Sequence, residues 1–115
     1  MIQFVSFGMA NGDAPACDVL IDCLDLPDPS PVVFDTPGTS PVVAEVITES
    51  NQLVLAWVEL AAALVWERAK DRPSFTVAFA CSAGWHRSPF AAEHVAAVVR
   101  RMGLEVAAVS YTHLR

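Results

Sequence analysis

The chain has 115 residues, of which 54% are hydrophobic and 17% charged, and its formal net charge is −6. This length fits one domain, residues 1–115, and the composition excludes a disordered segment. No apolar run is long enough to span a membrane, and we expect no signal peptide because Met1 leads directly into a predicted strand. Three cysteines without metal-ligand spacing predict free thiols and a cytoplasmic location. We expect no metal and no other cofactor.

The first part of the chain predicts two short strands and an irregular segment. Residues 2–7 alternate apolar and polar side chains and end at Gly8, which is typical of a strand followed by a turn. Residues 19–21 form a second apolar run between two aspartates. Five prolines between positions 27 and 41 exclude a long regular element, so we expect an ordered loop that lies over the sheet edge.

Two helices are predicted next. Ser40 and Pro41 suit the N-cap and the first position of a short helix that ends near Glu49. A longer helix follows over residues 51–70, and one of its faces is apolar. We expect that face to pack inward with these side chains: Leu53, Trp57, Leu60 and Leu64, flanked by Val54, Ala61 and Val65.

The second half predicts a strand over residues 75–80, a helix over residues 89–102 that stops at Gly103, and a last strand over residues 104–110. The resulting order of elements predicts an α/β fold: a small, mainly parallel, four-stranded sheet with helices on its faces. Right-handed crossovers suggest the strand order 2-1-3-4. Because ligands bind where the strand order reverses, we expect a cleft between the carboxyl ends of strands 1 and 3.

The segment from Cys81 to Ser88 predicts an anion-binding loop. It joins the third strand to the helix through Gly84, and Ser88 suits the helix N-cap. A tight loop ahead of a helix presents free backbone N–H groups and the positive end of the helix dipole. Arg87 adds a planar guanidinium that suits phosphate. We therefore expect a phosphate or a similar anion at this loop.

The spacing of Cys81 and Arg87, followed by Ser88, also resembles the C-x5-R-S signature of cysteine-dependent phosphatases. In that interpretation the Cys81 thiolate attacks phosphorus and Arg87 holds the phosphate oxygens, because a helix N-terminus and a guanidinium favour the thiolate. In the alternative interpretation Cys81 is a small buried apolar residue without a catalytic role. Ala80 stands where those phosphatases have His, and no Trp-Pro-Asp loop is present, so we expect no catalysis.

Two kinds of side chain leave alternatives open. His86 could donate to an anion as an imidazolium, or its ring could bind backbone groups and so hold the shape of the loop. The carboxylates of Asp25, Asp28 and Asp35 are available as general acids for a phosphatase, although solvated carboxylates are the commoner role of such residues in loops.

The whole chain, and not the loop alone, resembles the C-terminal domain of RapZ-type RNase adapter proteins. Four segments carry the similarity, in order: Ser6-Phe7-Gly8; Asp22 with Leu26-Pro27-Asp28-Pro29; Pro37-Gly38 with Pro41-Val42; and Ala80-Cys81-Ser82-Ala83-Gly84-Trp85-His86-Arg87-Ser88. The chain differs from the family pattern at Cys23 and Leu24, where the family has an arginine, and at Asp28, which replaces an asparagine.

The resemblance implies a small α/β domain with a regulatory or adapter role, which binds a phosphorylated amino sugar, RNA and an endoribonuclease. Apart from the resemblance, we expect no membrane partner, and a homo-oligomer is left open. No G-x-x-x-x-G-K-[ST] motif occurs, so nucleotide hydrolysis is not implied. Carried over residue by residue, the ligand site comprises Cys81, Ser82, Ala83, Gly84, Trp85, His86, Arg87 and Ser88, with Ser6 and Gly8 opposite.

The distribution of charge bears on the RNA-binding interpretation. Residues 1–67 contain ten acidic residues and no Lys or Arg, whereas all seven basic residues lie from Arg68 onward. A small basic patch could form from Arg100, Arg101 and Arg115. Proteins that bind nucleic acid usually have a broader basic face. We therefore expect weak RNA binding at best.

Overall fold

The computed structural model describes residues 1–112, and the predicted tail residue Arg115 lies outside the described residues. The strands in the described part are β1, Ile2–Gly8; β2, Val19–Asp22; β3, Phe75–Cys81; and β4, Ser110–Tyr111. The α-helices there are α1, Ser30–Val33; α2, Pro41–Ser50; α3, Val54–Asp71; and α4, Arg87–Arg101. A 3-10 turn, Met9–Asn11, follows β1.

The four strands form one parallel sheet in the order β2-β3-β1-β4, which confirms the predicted α/β class. The predicted order 2-1-3-4 is wrong, because β3 and not β1 lies beside β2. Asp18 explains this pairing: its N–H donates to the Thr76 carbonyl and its carboxylate accepts from the Thr76 N–H, both at 2.9 Å. These bonds fasten the start of β2 to the start of β3.

β1 and β3 are neighbours, and Gly8 lies opposite Cys81 at their carboxyl ends. The chain leaves β1 toward one edge of the sheet, at β2, and leaves β3 toward the other edge, at β4. Right-handed connections that run in opposite directions lie on opposite faces of a sheet. A crevice is therefore expected between the ends of β1 and β3, the same two strands that the sequence indicated.

The main core lies between the sheet and helices α2, α3 and α4. Phe4, Phe79 and Phe90 are fully buried there, and the rings of Phe4 and Phe79 are 5.1 Å apart. A smaller cluster, which includes Phe7 and Ala78, forms on the opposite face of the strands. β3 is thus buried on both faces, as its almost uninterrupted apolar sequence predicts.

The inward face of α3 differs from the predicted one. The buried side chains of this helix are Val54, Val58, Ala61, Ala62 and Val65, whereas Leu53, Leu60 and Leu64 are exposed. α3 is apolar around most of its circumference, so periodicity does not single out one stripe. Its Val and Ala side chains are smaller and permit a closer approach to the core. No helix among residues 1–112 is both long and apolar enough to cross a membrane.

The C-terminal part also departs from prediction. Gly103 follows α4 with a φ of 99°, as expected for a residue that stops a helix. The predicted strand over residues 104–110 is mostly irregular, and β4 is its only paired stretch besides an isolated bridge at Val106 in the described chain. Arg100 accounts for this, because its guanidinium donates to the carbonyls of Val106 and Ala107 (3.3 and 3.0 Å).

Candidate functional site

Within the described residues, several backbone N–H groups between β3 and the first turn of α4 have no hydrogen-bond acceptor. α4 starts at Arg87, two residues before the predicted start at Pro89, and no side chain caps it. Within residues 1–112, no hydrogen-bond acceptor meets the backbone N–H groups of Ala83, Gly84, His86, Arg87 or Ser88. Such a set of amides at a helix N-terminus can bind an anion.

A cavity of about 220 Å³ lies beside these amides. Six of the residues predicted from the sequence line it: Cys81, Ser82, Ala83, Trp85, His86 and Arg87. Three further lining residues come from the proline-rich segment: Asp28, Ser30 and Phe34. The sequence indicates Asp28 as an available general acid and as part of a family motif, but it does not indicate Ser30 or Phe34. The segment was expected to lie over the sheet edge, but it also forms one wall of this cavity.

Two glycines let backbone segments approach the loop closely. A Cβ atom at Gly8 would overlap the carbonyl group of Ala83, and one at Gly38 would overlap the carbonyl group of His86. The Gly38 N–H donates to the Trp85 carbonyl at 2.7 Å. Gly84 has a φ of 74°, a left-handed conformation that favours glycine. Gly8 and Gly84 thus shape the loop, although neither lines the cavity.

Ser88 and Ser6 are fully buried and do not line the cavity. The prediction that Ser88 caps the helix is wrong, because Ser88 lies inside α4. Its hydroxyl donates to the Phe7 carbonyl (3.2 Å) and accepts from the Cys81 thiol (3.1 Å). The Ser6 hydroxyl has no hydrogen-bond partner within the described residues. A ligand contact by either serine stays a prediction.

Trp85 and His86 fasten the α1 segment to the loop. The indole N–H of Trp85 donates to the Phe34 carbonyl at 2.8 Å. His86 Nε2 lies 3.0 Å from the Val33 carbonyl oxygen, and Nδ1 lies 3.4 Å from Ser30 Oγ. Of the two alternatives for His86, the ring that binds backbone matches this geometry. The same ring also forms part of the cavity wall.

Arg87 keeps part of its hydrogen-bonding capacity available. One terminal nitrogen donates to the Leu24 carbonyl at 3.2 Å, and the other lies 3.4 Å from Ser82 Oγ. A guanidinium has five N–H donors in a planar fork. The N–H donors that these two contacts do not use can bind a ligand in the cavity, which Arg87 lines.

One carboxyl group and one thiol near the loop have a pKa that differs from the ordinary value. Hydrogen bonds from Ser30 hold the pKa of Asp28 below its usual range, and the positive charges of Arg87 and His86 add to that effect. Burial raises the pKa of Cys23 strongly, and the neighbouring Cys81 and Asp22 raise it further. Among residues 1–112, no group of three His, Cys, Asp or Glu side chains could hold a metal ion.

Comparison with known proteins supports the resemblance seen in the sequence. The family model described as RapZ C-terminal domain matches residues 1–114. A protein named nucleotide-binding protein from Erythrobacter litoralis (strain HTCC2594) is 35% identical over 104 residues, which cover 85% of this chain. A nucleotide-binding protein from Burkholderia cenocepacia (strain HI2424) is 31% identical over 113 residues, which cover 88% of this chain. The chain spans 35% of the length of each relative. It belongs to the RapZ C-terminal domain family.

Proposed function

We propose that this domain binds a phosphorylated metabolite, of the sugar phosphate class, in the cavity beside the Cys81–Ser88 loop. The observation that carries the proposal is the set of unpaired backbone N–H groups at the start of α4, next to the Arg87 guanidinium. Amides at a helix N-terminus and a guanidinium both form charge-assisted hydrogen bonds with a phosphate dianion. The binding needs no catalytic step.

The size and walls of the cavity support a small, polar ligand. Its volume of about 220 Å³ is below the roughly 300–1,000 Å³ of sites for drug-sized ligands. A monosaccharide phosphate fits this space better than a dinucleotide. Asp28 and Ser30 offer polar groups to sugar hydroxyls, and Phe34 and Trp85 offer aromatic surface. The names of the relatives refer to proteins of which this chain matches only 35% of the length.

A regulatory or adapter role is part of the proposal. The cavity shares its wall with α1, whose residue Val32 is 72% exposed and whose neighbour Phe34 is 62% exposed. A ligand that contacts Phe34 would therefore contact the segment that presents these apolar side chains, and one that contacts Trp85 or His86 would contact residues hydrogen-bonded to it. We propose that the domain, in the cytoplasm, passes ligand occupancy to a protein partner through this segment.

The test is calorimetry with inorganic phosphate, sulfate and a hexose phosphate. Charge-assisted hydrogen bonds contribute about 1.5–3 kcal/mol, so Arg87→Ala should weaken binding at least about tenfold. Arg101→Ala is the matched control, because it removes the same charge from the other end of α4, about 21 Å away. Equal affinities of wild type and Arg87→Ala, or no binding of any of the three anions, would refute the proposal.

One observation favours a cysteine-dependent phosphatase as the second candidate. The cavity brings Asp28 together with Cys81 and Arg87, which are the types of residue needed as acid, nucleophile and phosphate ligand. The lowered pKa of Asp28 opposes this role, since a general acid must hold its proton near neutral pH. Non-catalytic binding therefore remains the primary proposal.

A further inference from the structure

Cys23 and Cys81 lie side by side at the carboxyl ends of two neighbouring strands. β2 and β3 run parallel with Asp22 opposite Ala80, and the Cys23 N–H donates to the Ala80 carbonyl at 2.8 Å. The next residue along each of the two chain segments is a cysteine, so Cys23 stands opposite Cys81. The two side chains lie on the same face of the sheet, because both belong to the main core.

This placement suits a disulfide bond. Neighbouring strands lie about 4.7–4.9 Å apart, and disulfides join residues whose Cα atoms are roughly 4.4–6.8 Å apart. Burial raises the pKa of the Cys23 thiol most, and Cys81 contributes next, as expected of a close neighbour. Both thiols are free, and each donates a hydrogen bond elsewhere: Cys23 to the Ile21 carbonyl (3.7 Å) and Cys81 to the Ser88 hydroxyl (3.1 Å). An S–S bond requires only that the two side chains turn toward each other.

The two thiols differ in access to small molecules. Cys81 lines the cavity of about 220 Å³ beside the anion loop, so a small oxidant in the cavity reaches its sulfur. Cys23 is fully buried and does not line that cavity. Cysteines that respond to oxidants commonly have such a second thiol beside them, which converts the first oxidation product into a disulfide. Cys81 is therefore the thiol that reacts first, and Cys23 is the one that reacts with it.

We propose that Cys81 and Cys23 form a modification site, at which a hydroperoxide converts the two thiols into a reversible disulfide. With hydrogen peroxide, the Cys81 sulfur attacks one oxygen: the S–O bond forms, the O–O bond breaks, and the leaving hydroxide takes the thiol proton to become water. The Cys23 sulfur then attacks the Cys81 sulfur: the S–S bond forms, the S–O bond breaks, and the Cys23 proton leaves in a second water. The two thiols lose two electrons, which the peroxide gains.

The disulfide would also act on the anion site, and this part of the inference rests on the proposed function. The residue after Cys23 is Leu24, whose carbonyl accepts a hydrogen bond from Arg87 at 3.2 Å. Linkage of Cys23 therefore shifts the segment that positions this guanidinium. A sulfur in a disulfide has no proton to donate, so the bond from Cys81 to Ser88 in the first turn of α4 is lost as well. We expect the oxidised form to bind anions less tightly.

Peptide mapping of the oxidised protein tests the pairing. No Lys or Arg occurs between Cys17 and Cys23, so trypsin leaves both in one peptide, and the experiment uses Cys17→Ala, which removes the exposed thiol. After treatment with hydrogen peroxide, the mass should fall by two hydrogen atoms, and one peptide should join Cys23 to Cys81. Dithiothreitol should restore both thiols. Cys23→Ala in the same background is the control and should form no bond within the chain.

Three results would overturn the disulfide. One is addition of oxygen to Cys81 without any linked peptide. Another is a link that occurs only between two chains. The third is that Cys23 and Cys81 stay reduced under conditions that oxidise the exposed Cys17 of the wild type.

Calorimetry with sulfate separates this inference from the proposed function. The oxidised Cys17→Ala protein should bind sulfate more weakly than its reduced form. Equal affinities of the two forms would refute the effect of the disulfide on the anion site. A reduced protein that forms the linked peptide but binds no sulfate would support the disulfide and refute the proposed function instead.

Discussion

The thiol of Cys81 donates a hydrogen bond of 3.1 Å to the hydroxyl of Ser88, and both side chains are buried. Ser88 donates in turn to the carbonyl of Phe7 at 3.2 Å. These two bonds join the ends of β1 and β3 to the first turn of α4, directly beneath the anion loop. In this arrangement the Cys81 side chain takes part in the buried contacts that hold the loop in place.

We expect from this that the wild-type domain does not hydrolyse an aryl phosphate between about pH 5 and about pH 8. Cys81→Ser should bind phosphate nearly as well as the wild type, since the backbone N–H groups and Arg87 remain. The check is a colorimetric assay on both proteins, with calorimetry to measure ligand binding. Turnover by the wild type that Cys81→Ser abolishes while it still binds phosphate would identify the domain as a cysteine-dependent phosphatase.

The two buried serines allow a matched comparison of stability. Ser88→Ala should lower the free energy of unfolding by about 1–3 kcal/mol, because it leaves the Phe7 carbonyl and the Cys81 thiol without their partner. Ser6→Ala should cost much less or stabilise the fold, because the Ser6 hydroxyl is buried with no partner among the described residues. Urea unfolding of the two variants tests this, and a greater loss of stability in Ser6→Ala would contradict it.

Much of the site follows from local sequence. An apolar strand, a loop with Gly84 and a helix with Arg87 in its first turn predict unpaired amides at one place, because each feature depends on neighbouring residues. The family resemblance predicts Gly8 at the site. The structural reason for a glycine there is the close approach of the Ala83 backbone. That reason depends on how β1 pairs with β3 and cannot be read from β1 alone.

The remaining features depend on contacts between distant segments. Ser30 and Phe34 carry no sequence signal for a binding role, since they reach the cavity through bonds from Trp85 and His86, more than fifty positions along the chain. The place of β2 depends on Asp18 bonding to Thr76. The inward face of α3 was assigned to its leucines because size and periodicity favour them, whereas close packing of the helix selects its valines and alanines.

Cys23 should make the fold sensitive to alkaline pH. Burial raises its pKa far above the ordinary value of 9.0, so the unfolded chain releases the proton at a pH where the folded chain still holds it. The stability that depends on the neutral thiol is complete below about pH 9 and declines as the pH rises above it.

Urea unfolding between about pH 7 and about pH 10.5 measures this decline. Cys23→Ala should be less stable than the wild type at neutral pH, because it leaves a small cavity, but its stability should fall less steeply at alkaline pH. Cys17→Ala is the control and should follow the wild type, because Cys17 is exposed. Parallel curves for wild type and Cys23→Ala would show that another group causes the decline.

The structure leaves few basic side chains for RNA. Arg72 pairs with Asp18 at 3.3 Å and Lys70 with Glu67 at 2.9 Å. Arg100 is engaged with backbone carbonyls, and Arg87 belongs to the anion loop. Among residues 1–112, this leaves Arg68 and Arg101 as the basic side chains with neither an ion pair nor a hydrogen bond.

Phosphate neutralisation by Lys and Arg supplies most of the affinity for nucleic acid. We therefore expect at most weak RNA binding by the isolated domain at about 0.15 M salt, which is physiological ionic strength. Stacking of a base on Tyr111 would add roughly 1–3 kcal/mol, which suits a short single strand better than a duplex. Fluorescence anisotropy with a structured RNA at increasing salt is the test, with Arg101→Ala as the variant that should reduce any residual signal. Submicromolar binding that weakens steeply with salt would contradict the expectation, because it would require more phosphate contacts than the surface of one domain offers. Such binding would then have to come from several copies of the domain that combine their basic patches.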